Sequence, residues 1–144
     1  MRLRSNKSGF TLIELVLVIS IIALLIMAVG LTSGIRENAK VHSASESVKA
    51  LRTAAESYIA GGSMTYTGIS VAGLQTSGYL PAAFSATGSN PWGGNYAIDP
   101  NTDANKVDIS LTGVSAAAAA RLSALFANSA ASTSYASETW TITF

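Results

Sequence analysis

The hydrophobic pattern divides the first 60 or so residues into two parts that meet different surroundings. An almost unbroken apolar stretch of 22 residues covers positions 10–31 and contains one charged residue, Glu14. Because an α-helix rises 1.5 Å per residue, this stretch would span about 33 Å, close to the roughly 30 Å hydrocarbon core of a bilayer. The pattern therefore predicts a membrane-crossing helix with an acidic side chain near its start.

The following residues keep the helical period but are apolar on one side only. Apolar side chains recur at spacings of three and four and form one stripe: Val41, Ala44, Val48, Leu51, Ala55 and Tyr58. Charged residues lie mainly off this stripe, and Gly61-Gly62 provides a helix stop. We therefore predict one helix from residue 10 to about residue 60, whose second half packs on a folded domain.

Two glycines, Gly30 and Gly34, mark the junction between the two halves of this helix. Glycine weakens a helix by about 1 kcal/mol relative to alanine, and Gly-x-x-x-Gly also lets helices approach closely in membranes. We interpret the pair first as a point of helix flexibility and second as a packing site.

The remainder of the chain alternates turn-forming segments with short regular elements. Residues 63–95 are rich in Gly, Ser and Thr, with a short helix predicted at 71–79 before Pro81. Strands are predicted at 96–99, 107–111 and 139–144, and a helix at 116–127. Ser115 is its predicted N-cap, and its core-facing residues are predicted to be Leu122, Leu125 and Phe126. The order predicts an α+β fold with a small antiparallel sheet packed on the first helix.

The single acid within the apolar stretch requires a partner. A carboxylate at the bilayer centre costs roughly 2.5–3.5 kcal/mol on insertion scales, and intramembrane acids are functional candidates by default. A helix that only anchors a protein in the membrane does not need a charged side chain, so Glu14 indicates a specific interaction. A secretory signal peptide fits poorly, because its apolar region is shorter and carries no acid.

The residues around this acid also carry a family resemblance. The chain resembles the processing site of type IV pilins and the related pseudopilins over the run Lys7-Ser8-Gly9-Phe10-Thr11-Leu12-Ile13-Glu14-Leu15. The resemblance implies that a prepilin peptidase cuts between Gly9 and Phe10 and that the new amine of Phe10 is methylated. It also implies that Glu14 pairs with the Phe10 amine of a neighbouring subunit during assembly.

Elementary electrostatics supports this pairing. An α-amine is mostly cationic at neutral pH, and a buried cation and a buried anion each need a partner. Pairing between two subunits would satisfy both charges and fix their axial stagger. The alternative is that Glu14 pairs with the amine of its own chain.

The resemblance implies a division into a cleaved leader (1–9), a membrane and filament-core helix (10–34) and a globular pilin domain (35–144). The globular part looks like type IVb pilins, because it has an Asn90-Pro91-Trp92-Gly93-Gly94 turn and a helix after the 107–111 strand, whereas the short leader and Phe10 look more like type IVa. Many pilins close this region with a disulfide, but this chain has no cysteine. Packing alone is therefore expected to hold its C-terminal region.

The distribution of charge predicts the orientation of the chain in a membrane and argues against a nucleic-acid-binding protein. Before the apolar stretch stand Arg2, Arg4 and Lys7, which predict a cytoplasmic N-terminus in the inner membrane. Loss of the leader leaves six basic and eight acidic residues. The remaining basic residues are interleaved with acids, so no nucleic-acid surface is predicted.

No catalytic or cofactor motif is evident. His42 is the only histidine and is interpreted as a partly exposed surface residue. Asp99, Asp103 and Asp108 could supply oxygen ligands for calcium, but their spacing is not that of an EF-hand, so a polar turn is the preferred interpretation. We predict no enzyme activity, no cofactor and no metal.

The sequence thus predicts a structural subunit, most consistent with a major pilin, of an extracellular type IV pilus (fimbrium). Its expected partners are copies of itself, the prepilin peptidase and the inner-membrane assembly platform. The pilus could serve adhesion or other roles that the sequence leaves open. The alternatives are a pseudopilin of a type II secretion or DNA-uptake system and a membrane-anchored enzyme.

Overall fold

The computed structural model describes residues 11–144, and only the backbone of residues 30–33. Within this part the helices are α1 (Leu12–Ala60), α2 (Val71–Thr76) and α3 (Ala116–Phe126). The strands are β1 (Tyr96–Pro100), β2 (Val107–Thr112), β3 (Ser132–Ala136) and β4 (Thr139–Thr143). The chain divides into two compact units, with the boundary after Arg36.

The globular unit, residues 37–144, is built around an antiparallel sheet of order β1-β2-β4-β3. Register places Ile98 opposite Ile109 and Ile109 opposite Ile142. These side chains belong to one buried cluster with the α1 residues Val48 and Leu51. The predicted α+β architecture, with a long helix packed on a small antiparallel sheet, is therefore confirmed.

The stripe on the second half of α1 explains why this part of the helix is stable in a folded domain. Val41, Ala44, Val48, Leu51 and Ala55 are all buried, while the charged residues between them remain on the exposed side. A helix within a protein gains most of its stability from packing its amphipathic face on the rest of the domain. His42, beside the stripe, is exposed as expected.

β3 is absent from the sequence-based prediction. All five residues of Ser132–Ala136 are exposed, and the segment lies at the sheet edge, so it has no apolar alternation to reveal it. Its link to β4 is a two-residue turn in which Ser137 and Glu138 have φ angles of 49° and 57°. Glycine or asparagine normally occupies such positions, so the usual hairpin signal was also missing.

Two other local predictions were wrong. The short helix α2 ends at Thr76, not at residue 79, because Gly78 takes a φ of +76° that a continuing helix does not allow. Leu125 of α3 was expected in the core, yet 60% of it is exposed. The core side of α3 is formed instead by Leu122 and Phe126, together with the alanines Ala118 and Ala119.

Packing and hydrogen bonds replace a disulfide beside the last strand. The ring of Phe144 makes an edge contact with Phe126, with 6.1 Å between centroids. The Arg52 guanidinium lies 4.5 Å from the Phe144 ring centroid. Val107 and Phe144 also exchange two backbone hydrogen bonds of 3.0 Å. These contacts fasten residue 144 to both α1 and β2.

Candidate functional site

The start of α1 is organised by a reciprocal set of hydrogen bonds between Thr11 and Glu14. Glu14 Oε2 accepts from the Thr11 backbone N–H and from Thr11 Oγ1, each at 2.9 Å. Thr11 Oγ1 in turn accepts from the Glu14 N–H at 3.3 Å. This is a capping box, which satisfies N–H groups that the first turn of a helix leaves without partners.

The capping box was readable in the sequence and was missed. The spacing Thr-x-x-Glu before an apolar run is its usual signature. Glu14 therefore has a role within its own helix in addition to any role between subunits. The predicted processing residues Gly9 and Phe10 lie outside the described residues.

The apolar half of α1 exposes large side chains around its whole circumference. Exposure runs from 43% at Val16 to 81% at Leu12, and it includes nearly every large apolar residue from 12 to 29. The most apolar 18 consecutive residues of α1 have a mean hydropathy of 3.1. The helix is therefore long and apolar enough to cross a membrane. A surface of this size and composition needs lipid or other apolar helices around it.

Helix α1 continues through the two predicted flexible positions, Gly30 and Gly34. A Cβ added at Gly34 would meet no atom within 4 Å. The described part of the chain therefore contains no steric reason for glycine at position 34. Since glycine costs about 1 kcal/mol in a helix interior, its presence there weakens α1 without a compensating contact within the subunit.

Just beyond this point, two consecutive residues of α1 are fastened to the rest of the globular unit. Glu37 Oε1 accepts from Trp92 Nε1 at 3.1 Å and from Ser115 Oγ at 3.3 Å. Asn38 Oδ1 accepts from Arg121 Nη1 at 2.5 Å. These bonds join segments more than 50 residues apart, so no local pattern in the sequence predicted them.

The Asn-Pro-Trp-Gly-Gly turn that supplies Trp92 is organised by one buried amide. Asn90 is 4% exposed, and its Oδ1 accepts from the N–H groups of Trp92 (3.0 Å) and Gly94 (2.8 Å). Its Nδ2 donates to the carbonyl of Thr112 at 2.7 Å and more weakly to that of Asn95 at 3.3 Å. A Cβ at Gly94 would overlap the Thr112 carbonyl, which explains why a glycine follows the turn.

Of the three aspartates considered as calcium ligands, Asp99 lies in β1, Asp103 in the β1–β2 connection and Asp108 in β2. Asp99 and Asp108 are opposite in register, and the Asp108 carboxylate accepts from Asn101 Nδ2 at 2.9 Å and from Thr143 Oγ1 at 2.6 Å. The backbone N–H of Asn105 lowers the pKa of the Asp103 carboxyl. No group of three or more His, Asp or Glu side chains within residues 11–144 is placed to hold a metal ion.

Two known families match this chain, and the boundary between the two matches lies close to the end of the apolar stretch at residue 31. The family described as the prokaryotic N-terminal methylation motif matches residues 4–30. The family described as PilS N terminal matches residues 32–142, well over half of the chain. No curated protein and no solved structure matches the chain significantly.

Proposed function

The chain belongs to the type IV pilin family, and from this membership we propose that it is the major subunit of a surface pilus. Members of the family are structural subunits and not enzymes. They are processed by a prepilin peptidase and polymerise with copies of themselves. A methylation motif followed by an apolar helix fits a precursor anchored in the membrane and a mature form within a filament.

The observation that carries the proposal is the exposed apolar half of α1, whose one charged side chain is Glu14 in the first turn. In the membrane, lipid covers this surface. In the filament, apolar helices of other subunits take the place of lipid. The globular unit is then carried to the filament exterior by the second half of α1.

Glu14 is proposed to set the register between subunits. Cleavage between Gly9 and Phe10 would create a free α-amine one residue before Thr11, and a separate methyl transfer would then modify it. Both hydrogen bonds that Thr11 donates go to Oε2 of Glu14, which holds the carboxylate at the first turn of the helix. A neighbouring subunit's Phe10 amine can then pair with this fixed carboxylate, and neither charge is left unpaired in an apolar surrounding.

The match to PilS over residues 32–142 supports a pilin-type structural subunit, and we propose that the filament is a pilus and not a pseudopilus. In this proposal the inner-membrane assembly platform adds subunits at the base, and the finished filament lies outside the cell.

N-terminal sequencing and intact-mass measurement on filaments sheared from the native host test this function. We expect a methylated Phe10 as the first residue and this chain as the most abundant protein of the filament. A first residue at Met1 would indicate a simple anchor. Short periplasmic fibres in place of surface filaments would favour a pseudopilin.

We further propose that α1 loosens at Gly30 and Gly34 when the subunit enters the filament. The uncompensated glycine at position 34 makes this part of the helix the least costly to unwind. The bonds of Glu37 and Asn38 would keep the loosening from spreading into the globular unit. A filament reconstruction should show irregular backbone within 28–36, and unbroken helical density there would contradict the proposal.

A further inference from the structure

The globular unit carries an open apolar groove between α1 and α3. Its volume is about 640 Å³, and no other part of the described chain fills it. The buried side chains of Val41 and Phe126 contribute to its apolar lining, and exposed Leu125 lines it as well. The groove is also lined by two cationic residues, Lys49 and Arg121.

Leu125 is a large apolar side chain that the subunit does not bury. It lies on a helix that buries Leu122 and Phe126, yet 60% of its own surface is exposed. Burial of a leucine side chain is worth roughly 1.5–3 kcal/mol, so a partner that covered it would gain binding energy there. The groove and Leu125 together form an apolar docking surface.

An exposed apolar side chain of a size that fits this groove, Met64, projects from another part of the same unit. Met64 is 94% exposed, the highest value among the large apolar side chains that the structure describes. It lies four residues beyond the end of α1, whereas the groove uses α1 residues 38–49. At 1.5 Å per residue, Ser45 and the last residue of α1 are about 22 Å apart along the helix. The projection and the groove therefore lie toward opposite ends of this half of α1.

We propose that Met64 of one subunit inserts into the α1–α3 groove of a second subunit and packs against its Leu125. An open filament requires contacts between two unlike patches, since a self-complementary patch gives a closed dimer. Methionine is unbranched and flexible and fills irregular apolar gaps well. The segment 61–69 carries no charged residue, so it adds no charge beside the groove, where Lys49 already pairs with Glu46 at 2.8 Å and Arg121 donates to Asn38. This inference rests on the proposed filament function.

Cysteine cross-linking in intact filaments tests the contact, because the natural chain contains no cysteine. Filaments of the double variant Met64→Cys/Leu125→Cys should form a ladder of covalent oligomers under mild oxidation. The matched control Met64→Cys/Ser134→Cys uses an exposed residue of β3 and should give no ladder. A third pair, Leu24→Cys/Leu125→Cys, tests whether the apolar half of a neighbouring α1 occupies the groove instead.

A ladder from the 64/125 pair alone would support the proposal. Filaments that give no ladder with this pair, or that give one only with the 24/125 pair, would overturn it while leaving the pilin function intact. The absence of filaments from the unmodified protein in its native host would instead contradict the proposed function itself.

A charge series at position 64 gives a second measurement that does not depend on cysteine chemistry. Met64→Lys would place a cation beside Lys49 and Arg121 and should reduce filament yield about tenfold, while Met64→Leu should retain it. Met64→Asp should fall between them, since its charge is opposite to that of the two cations. Equal yields from all three variants would overturn the contact. Melting temperatures should not change across the series, because Met64 is exposed in the free subunit.

Discussion

Replacement of Glu14 by alanine is expected to leave membrane insertion intact and to reduce filament yield by about tenfold or more, since an unpaired buried charge costs several kcal/mol. Insertion itself should become easier, because the variant no longer places a carboxylate in the bilayer. Assembly should fail, because the Phe10 amine of the neighbouring subunit would enter an apolar surrounding without a counter-charge. Sheared filaments and membrane fractions, compared by immunoblot, measure both effects.

The capping box makes a more informative variant available. Glu14→Gln keeps an acceptor oxygen for the Thr11 N–H and hydroxyl, so the helix start should remain intact, but the charge is removed. Thr11→Ala does the reverse and should cost about 1 kcal/mol of local helix stability. If charge pairing sets assembly, Glu14→Gln should fail as completely as Glu14→Ala. Wild-type filament yield from Glu14→Gln would show that capping, and not intersubunit pairing, is the function of Glu14.

Asn90→Ala is expected to lower the unfolding free energy of the globular unit by about 3 kcal/mol, since each buried polar group left without a partner costs about 1–3 kcal/mol. The change removes the acceptor of the Trp92 and Gly94 N–H groups and a donor to the Thr112 carbonyl. The turn that positions Trp92 against Glu37 would lose its organising side chain. Thermal unfolding of the full chain in detergent, followed by near-ultraviolet circular dichroism of the tryptophans, measures the loss.

Two matched variants sharpen this test. Asn90→Asp keeps the oxygen acceptor but places a buried carboxylate oxygen against the Thr112 carbonyl, so its melting temperature should be no higher than that of Asn90→Ala. Asn105→Ala changes the same residue type at an exposed position and should have little effect. Equal melting temperatures for Asn90→Ala and Asn105→Ala would contradict the structural role assigned to this turn.

The sequence predicted well wherever a repeating local pattern carried the information. The helical period of Val41, Ala44 and Val48 located the buried face of α1, and the alternation in 107–111 located β2. Ser115 was correctly predicted as the N-cap of α3, where its hydroxyl accepts from the Ala118 N–H. Each of these signals depends only on residues close together in the chain.

The missed capping box of Thr11 and Glu14 and the end of α2 at Thr76 had local signals, but the other errors fall where neighbours in space decide the outcome. β3 forms because β4 offers hydrogen bonds to an otherwise featureless segment, so no property of Ser132–Ala136 itself gave it away. Leu125 was assigned to the core by its apolar character, but the rotation of α3 places Leu122 and Phe126 inward instead. The partners of Glu37 and Asn38 lie more than 50 residues along the chain from them.

The sequence by itself determined that this protein has an apolar helix with one acid in its first turn, and this pattern, with the processing motif before it, indicated the type IV pilin family. Length, hydropathy and the position of Glu14 are properties of consecutive residues, and the membrane acts on them directly. Only the tertiary structure decided how the second half of α1 is fastened to the rest of the globular unit and which apolar surfaces of that unit remain exposed. Those features depend on contacts between segments that are distant in the chain. Such contacts stabilise the fold only once the loops between the segments have closed, at a cost in chain entropy that no local pattern reveals.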